Sequence, residues 1–486
     1  MKPLDELNFD NTFARLPKSF FSAVAPSPLD NPKLVAFNPA AAQLLDLSDS
    51  IDIRRQITQV CCGHANLPGS EPIASVYSGH QFGSYVPQLG DGRSLLLGEV
   101  RNAQGEKWDL HLKGGGTTPY SRFGDGRAVL RSCIREYLAS EALHYLGIPT
   151  TRALCLVTSD TPVYRETTES GSTLLRLAQS HVRFGHFEYF FYTKRYEDLK
   201  TLADYTIRQS FPHLSELNDR YIRFFEAVVL STAKLIAQWQ AVGFAHGVMN
   251  TDNMSIIGDT LDYGPYGFMD DFNWHYICNH SDREGRYAFG QQPEIAYWNC
   301  GRLAQALMPL IDDVESLQSV LDIYPQTYSQ TYQQLMIQKL GLTSEEKKDT
   351  SLLQELLQLM HKSQCDYTRF FRTLSDFKPE EGSKPLQQLV EHKDLSSWLA
   401  LYSQRLERNS LPSSERSIQM KQVNPKFILR NYLAQQAIDQ AEQGDYSEID
   451  QLMKVLCAPF DEHPELEHYA AATPDWGKQL EVSCSS

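Results

Sequence analysis

Polar and apolar positions change period along the chain. Trp108, Leu110 and Leu112 alternate with Asp109, His111 and Lys113, and this period of two predicts a strand over 108–113 with one apolar face. Residues 94–100, 152–158 and 172–178 read as strands too. Leu174, Arg176 and Ala178 share one face of the last, which places an Arg on an otherwise apolar surface. Between these strands, Leu130, Ile134, Leu138 and Ala142 recur every four residues. They predict a helix over 127–147, stopped by Gly147 and Pro149. A second amphipathic helix, 222–239, carries Phe225, Val228, Val229, Leu235 and Ile236 and ends at Gly243. From about residue 295 the pattern is helical throughout: 295–311, 317–340, 344–377, 386–408 and 424–456, with polar linkers near 378–385 and 409–423. Ahead of the strands, residues 1–75 hold Pro26, Pro28 and Pro32 and a helical patch at 40–47, and read as a segment that wraps onto the next domain. No repeat or low-complexity tract interrupts the chain.

With 486 residues and 42% hydrophobic positions, two to three domains or lobes are expected. The net charge of −15 (45 Lys and Arg against 60 Asp and Glu) opposes sequence-independent nucleic-acid binding, which depends on neutralising phosphates. A local basic pocket for one nucleotide remains compatible with it. No apolar run approaches the ~20 residues of a spanning helix, so no membrane partner is expected. The first residues lack an apolar signal core, and the cytoplasm is the expected location. Nine Cys without a C-x-x-C pair argue against a zinc ribbon and for scattered thiols.

The chemistry concentrates in HGVMNTDNMSIIGDTLDYG, residues 246–264. A protein kinase writes its catalytic loop H-R-D-L-x-x-x-N and its second metal-binding turn D-F-G. With the histidines aligned, Asn253 falls on the metal-binding Asn, and Asp262-Tyr263-Gly264 reads as the D-F-G turn. Val248, however, stands where the catalytic Asp belongs. The intervening MSIIGDTL reads as a small hairpin around Gly258-Asp259. Upstream, Gly90-Asp91-Gly92-Arg93 forms a turn into the 94–100 strand, where glycines admit backbone N–H groups to phosphate oxygens and the Arg can clamp an anion. A plain β-turn would show the same Gly-x-Gly. Lys113 ends the next strand, the position from which a kinase holds phosphates. Its acid on the following helix is Glu136 or Glu141; periodicity does not choose. Asp125-Gly126 sits at the helix entry, as a cap or as a phosphate-facing turn. Arg176 and Arg183 read either as buried ion pairs or as cations facing phosphate. Asp270-Asp271 reads as metal ligands or, in the blander reading, as helix caps or fold contacts. The order of parts predicts an α+β, protein-kinase-like two-lobed fold: a wrap over 1–75, an N-lobe antiparallel sheet with an αC-like helix over 76–185, a mainly helical C-lobe over 186–330, and a helical extension over 331–486. From spacing alone, a phosphotransferase using Asp252 as base and an ATP-binding scaffold without turnover are competing readings.

The blocks YSGHQFGSYVPQLGDGR, LKGGGTTPYSRFGDGRAVLRSCIREYL, HVRFGHFEYF and HGVMNTDNMSIIGDTLDYGPYGFMDDF resemble the selenoprotein O (SelO) family of kinase-like protein adenylyltransferases. The resemblance runs over essentially the whole chain. It implies ATP bound in reversed orientation and AMP transferred to Ser, Thr or Tyr hydroxyls of proteins, with pyrophosphate released. It further implies that Lys113 binds phosphates and pairs with Glu136, that Gly90, Gly92, Arg93, Asp125, Gly126, Arg176 and Arg183 line the nucleotide site, that Asn253 and Asp262 hold Mg²⁺ or Mn²⁺, and that Asp252 accepts the proton. The family carries selenocysteine or cysteine third from the end, here Cys484. A redox-sensitive disulfide between Cys484 and Cys278, fourteen residues after Gly264, is an expectation that this likeness strengthens.

Overall fold

The computed structural model describes residues 2–482. Its centre is an antiparallel sheet of eight strands. The strands are β1 (Phe21–Ala23), β2 (Lys33–Phe37), β3 (Ile73–Ser75), β6 (Ser94–Arg101), β7 (Lys107–Lys113), β8 (Ala128–Val129), β9 (Arg152–Tyr164) and β10 (Thr168–Ala178), while β4 (Gly79–Gln81) and β5 (Ser84–Val86) form a separate hairpin. The main order is β1-β3-β6-β7-β10-β9-β2, with β8 laid on β10. Residues 1–75 therefore supply both edges of the sheet as well as α1 (Pro39–Gln43) and α2 (Ile51–Cys61).

The alternation along 108–113 becomes two faces. Leu110 and Leu112, with Leu95, Leu97, Leu175 and Leu177, bury against α1 and α2. Asp109, His111 and Lys113 point the other way, as do Leu174 and Arg176 on β10, where register sets Arg176 opposite His111 and Leu174 opposite Lys113. That second face is covered by α3 (Leu130–Tyr145). The helix starts three residues later than its sequence pattern predicts, because Ala128 and Val129 first pair with Ser172 and Gly171 of β10. Asp125 and Gly126 are consequently not at the helix entry.

Beyond the sheet the chain is helical. α4 (Phe184–Tyr192), α5 (Tyr196–Ser210) and α6 (Arg220–Val242) lead to a β-bridge between β11 (Phe244–Ala245) and β12 (Gly267–Phe268). Gly243 closes α6 in the left-handed conformation that its lack of Cβ allows. α7 (Gln292–Ile311), α8 (Val314–Leu321), α9 (Ile323–Lys339), α10 (Asp349–Ser363), α11 (Tyr367–Leu374), α12 (Lys384–Leu389), α13 (Asp394–Leu406), α14 (Ser413–Lys421), α15 (Asn431–Glu442), α16 (Ser447–Leu456) and α17 (Asp475–Lys478) follow. Three kinds of expectation fail here. The helices expected over 317–340, 344–377, 386–408 and 424–456 are each broken into two, α8 and α9, α10 and α11, α12 and α13, and α15 and α16. The 409–423 linker contains α14, anchored by the buried Arg416 and Met420. The hairpin expected between Asn253 and Asp262 does not form: Ser255 bridges Arg183 and Thr260 bridges Thr150 instead. The two short runs pair outward with different neighbours, stitching the loop to the sheet side.

Candidate active site

A cleft of about 610 Å³ opens between the sheet and the helical part. It is lined by Gly90, Gly92, Arg93, Lys113, Asp125, Gly126, Arg176, Arg183, Asp252, Asn253 and Asp262. Residues more than 170 positions apart thus line one cleft. Glu136 lies directly behind Lys113.

The sheet side is a chain of paired charges. Lys113 Nζ donates to Glu136, whose other oxygen accepts from Arg176 at 3.0 Å. Arg176 also reaches Asp262 Oδ1 at 2.8 Å, and Arg183 takes Asp262 Oδ2. Asp262 itself has φ +59°, a left-handed turn that swings its carboxylate back onto both guanidiniums. Burial would raise the Asp262 pKa, but Arg183 and Arg176 outweigh it and hold the carboxyl well below the ordinary range. Burial opposes ionisation of Glu136 in the same way, and Lys113 and Arg176 hold its pKa below the ordinary value. Periodicity left Glu136 and Glu141 open; Glu141 faces away and binds Arg152 at 2.7 and 2.9 Å.

The helical side is built differently. Asp252 and Asn253 sit in a short 3-10 turn, Thr251–Asn253. Thr251 is fixed by Glu188, which also binds His80 Nδ1 at 2.5 Å. Asn253 Nδ2 donates to the Val248 carbonyl at 3.0 Å, so the residue at the expected base position serves through its backbone. His246 Nε2 donates to Leu261 O at 2.9 Å and braces the two ends of the 246–264 stretch. Asp252 is buried. Its Oδ2 accepts from Gln81 Nε2 at 3.2 Å, and its Oδ1 has no partner. Burial pushes its pKa up to about 7. Tyr263, in the place of a Phe, is buried and shares a hydrogen bond with Thr150.

The glycines of the rim serve close backbone approach. A Cβ on Gly90, at φ +110°, would lie 2.7 Å from the Tyr120 ring, and one on Gly126 would lie 2.0 Å from Gly116 O. Asp125 caps Arg127 N at 2.9 Å and pairs with Arg165 at 2.8 and 3.0 Å, at the exposed edge of the cleft. Arg93 and Arg122 are exposed there.

Asn253 from the helical side and Asp262 from the sheet side bring an amide and a carboxylate to the cleft, and oxygen donors suit a hard cation such as Mg²⁺ or Mn²⁺. Asn253 and Asp262 would hold it. Among the described residues no group of three or more His, Cys, Asp or Glu gathers as a metal site. One amide and one carboxylate form the kind of set that nucleotide phosphates and water complete.

Comparison with known proteins decides the family. The model of the family described as protein adenylyltransferase SelO matches residues 3–457. The protein nucleotidyltransferases YdiU of Pseudomonas fluorescens Pf-5 and of Myxococcus xanthus DK1622 are each 54% identical to this chain, over 488 and 489 residues and the full length of both partners. The same protein of Azotobacter vinelandii DJ is also 54% identical over full length. The chain belongs to the SelO family. The expected enzyme class, nucleotidyltransferase, is that of the family.

Several members of this SelO site were not legible beforehand. Asp91 accepts from Ser75 N at 2.8 Å and Ser75 Oγ at 2.6 Å, and faces His111 Nε2 at 3.6 Å; His111 Nδ1 in turn accepts from Arg176 at 2.6 Å. Tyr77 lies under Arg183, 5.1 Å from ring centre to guanidinium. Gln81 reaches the site from β4, whose Gly79 leaves room for Asp252: a Cβ there would stand 2.5 Å from Oδ1. The Gly-rich text at 77–93 was the one available signal. Cys278 is buried, its Sγ 3.5 Å from Ala245 O, close beneath Gly247. Cys484 lies outside the described residues. His280 N donates to Val482 O at 2.9 Å, which brings residue 482 beside the segment that follows Cys278. Asp270 and Asp271 are ion-paired with Arg430 and Lys478 and stand outside the cleft, which favours fold contacts over the metal reading.

Proposed function

We propose that this protein transfers AMP from ATP to Ser, Thr or Tyr hydroxyls of other proteins, in a two-lobed, protein-kinase-like cleft that binds ATP reversed. The observation that carries this reading is Asp252. It is a buried carboxylate with one unpartnered oxygen, next to Asn253, while Val248 removes the ordinary base. An acceptor hydroxyl approaching Asp252 would give it its proton. The hydroxyl oxygen bonds to the α-phosphorus, the bond from that phosphorus to the α–β bridging oxygen breaks, and pyrophosphate leaves with the electron pair. Lys113, positioned by Glu136, and Arg176 and Arg183 stabilise charge on the phosphates. The exposed cations Arg93 and Arg122 suit the outward β- and γ-phosphates of a reversed nucleotide. Mg²⁺ or Mn²⁺ on Asn253 and Asp262 would neutralise phosphate charge.

The lobes fall at about 76–185 and 186–330, with extensions on either side, and the cytoplasm is the proposed compartment. No helix among the described residues is long and apolar enough to cross a membrane. A Cys278–Cys484 disulfide is the proposed redox link; peptide mapping under non-reducing conditions that yields only unlinked peptides would remove it. The function is tested by incubation with ATP labelled at the α- or the γ-phosphate in parallel. Label on protein from the α-position alone supports AMP transfer. Label from the γ-position alone means phosphotransfer, and label from neither, with ATP still bound, means a scaffold.

A further inference from the structure

The C-terminal helices cover the helix that carries Glu136. Thirteen of the sixteen residues of α3 are buried, so it has no free side on which to swing. One side packs on β9 and β10, and another on α15 and α16. Tyr432, Leu433, Ala437, Ile438, Leu452 and Leu456 enter the same apolar cluster as Ile134, Leu138 and Ala142.

Polar contacts at the junction are more specific. Arg135, next to Glu136, is buried and lies 4.5 Å from the centre of the Tyr266 ring. It donates to Tyr266 O at 2.9 Å and, through both terminal nitrogens, to Asn431 Oδ1 at 3.3 Å. Tyr266 OH returns a bond to Arg135 O at 2.7 Å. No carboxylate is ion-paired with Arg135 among the described residues, so these two neutral oxygens and the Tyr266 ring are what hold it. The neighbouring Arg430 binds Asp270 at 2.6 Å and Asp366 at 2.9 and 3.1 Å. Residues 430 and 431, at the start of α15, therefore grip two things at once. One is α3; the other is the segment just after Asp262-Tyr263-Gly264.

We propose that the C-terminal helical region is a built-in clamp on the nucleotide site, in which Asn431, through Arg135 and Tyr266, positions α3 so that Glu136 stays on Lys113. Asn431 and Arg135 are positioning residues: neither lines the cleft. The device leaves the Lys113–Glu136 pair assembled without an outside activator. It rests on the reading of the cleft as a nucleotide site, though not on which phosphate is transferred.

The test is equilibrium ATP binding to the full chain, with Mg²⁺, in a double-mutant cycle. Asn431→Ala is expected to weaken binding about ten-fold, the scale of one hydrogen bond to a charged group. In a Glu136→Gln background the same substitution should cost nothing further, because the clamp acts only through that carboxylate. Asn431→Asp restores an acceptor for Arg135 and should bind within about two-fold of the parent. Hydrogen exchange in 130–145 should quicken in Asn431→Ala and not in Asn431→Asp. Should the alanine variant fail to fold, Arg135→Lys, which keeps charge and loses the fork, takes its place with the same expectations. Parent-like binding by the variant, or losses that add in the double variant, would overturn the clamp. A protein that binds ATP and clamps as described, yet labels no acceptor from the α-position, overturns only the proposed function.

Discussion

The two walls of the cleft handle charge in opposite ways. On the sheet side each cation meets a carboxylate: Lys113 and Arg176 share Glu136, and Arg176 and Arg183 share Asp262. On the helical side Asp252 is buried with one oxygen unpartnered and its pKa raised to about 7. A fold that optimised only stability would treat both alike, since buried charge is costly unless paired. The sheet wall is paired throughout, three cations on two carboxylates, and can therefore be rigid. The loop wall keeps an unmet oxygen at the group proposed to accept the proton.

This contrast is open to direct test. Asp262→Ala strips a carboxylate from two buried guanidiniums, and is expected to abolish transfer and cost about 3–5 kcal/mol in denaturant unfolding. A stable, active variant would show that the sheet wall is not balanced through Asp262. Asp252→Ala should lower transfer about 100-fold or more, the scale of a general base, while thermal stability holds or rises. A clear fall in Tm would mean that Asp252 is structural and that the two walls do not differ.

The histidines behind the sheet wall sharpen the contrast through pH. Burial holds His111 and His186 down to about 3, well under the usual histidine value. Each stays neutral in the fold while the unfolded chain takes up its proton below ~6.5. The unfolded state then binds more protons, so stability rises with pH across that window and is lost on acidification. Between pH 7 and 5 each histidine should remove about 2 kcal/mol, visible as a falling Tm. A flat Tm profile would contradict their burial as neutral rings. The smallest effect is expected from Glu141→Gln, off the cleft, which should cost about 1–3 kcal/mol and leave ATP affinity unchanged. Weakened nucleotide binding there would undo the assignment of Glu136 over Glu141.

Much of the site was readable because its chemistry is written in short spacings. Asn253 lies seven residues after His246, and Asp262 opens a D-Y-G turn, whatever surrounds them. The strand alternation around Lys113 also predicted which way it faces. The hairpin between Asn253 and Asp262 was misread because short apolar runs do not say whether they pair with each other or with distant strands; Ser255 and Thr260 chose Arg183 and Thr150. α14 was missed because its polar, charged sequence hides two buried anchors, Arg416 and Met420.

The sequence by itself determined the residue types, their order and the absence of a carboxylate at 248, since local periodicity and motif spacing depend only on neighbours along the chain. Tertiary structure set Glu136 rather than Glu141 on Lys113, a choice that periodicity left open and only the family resemblance implied, and it alone decided that Asp91 and His111 stand behind Arg176 and that α15 closes over α3. Those choices depend on contacts between residues tens to hundreds of positions apart, and such contacts are fixed by packing and by the cost of leaving a buried charge alone.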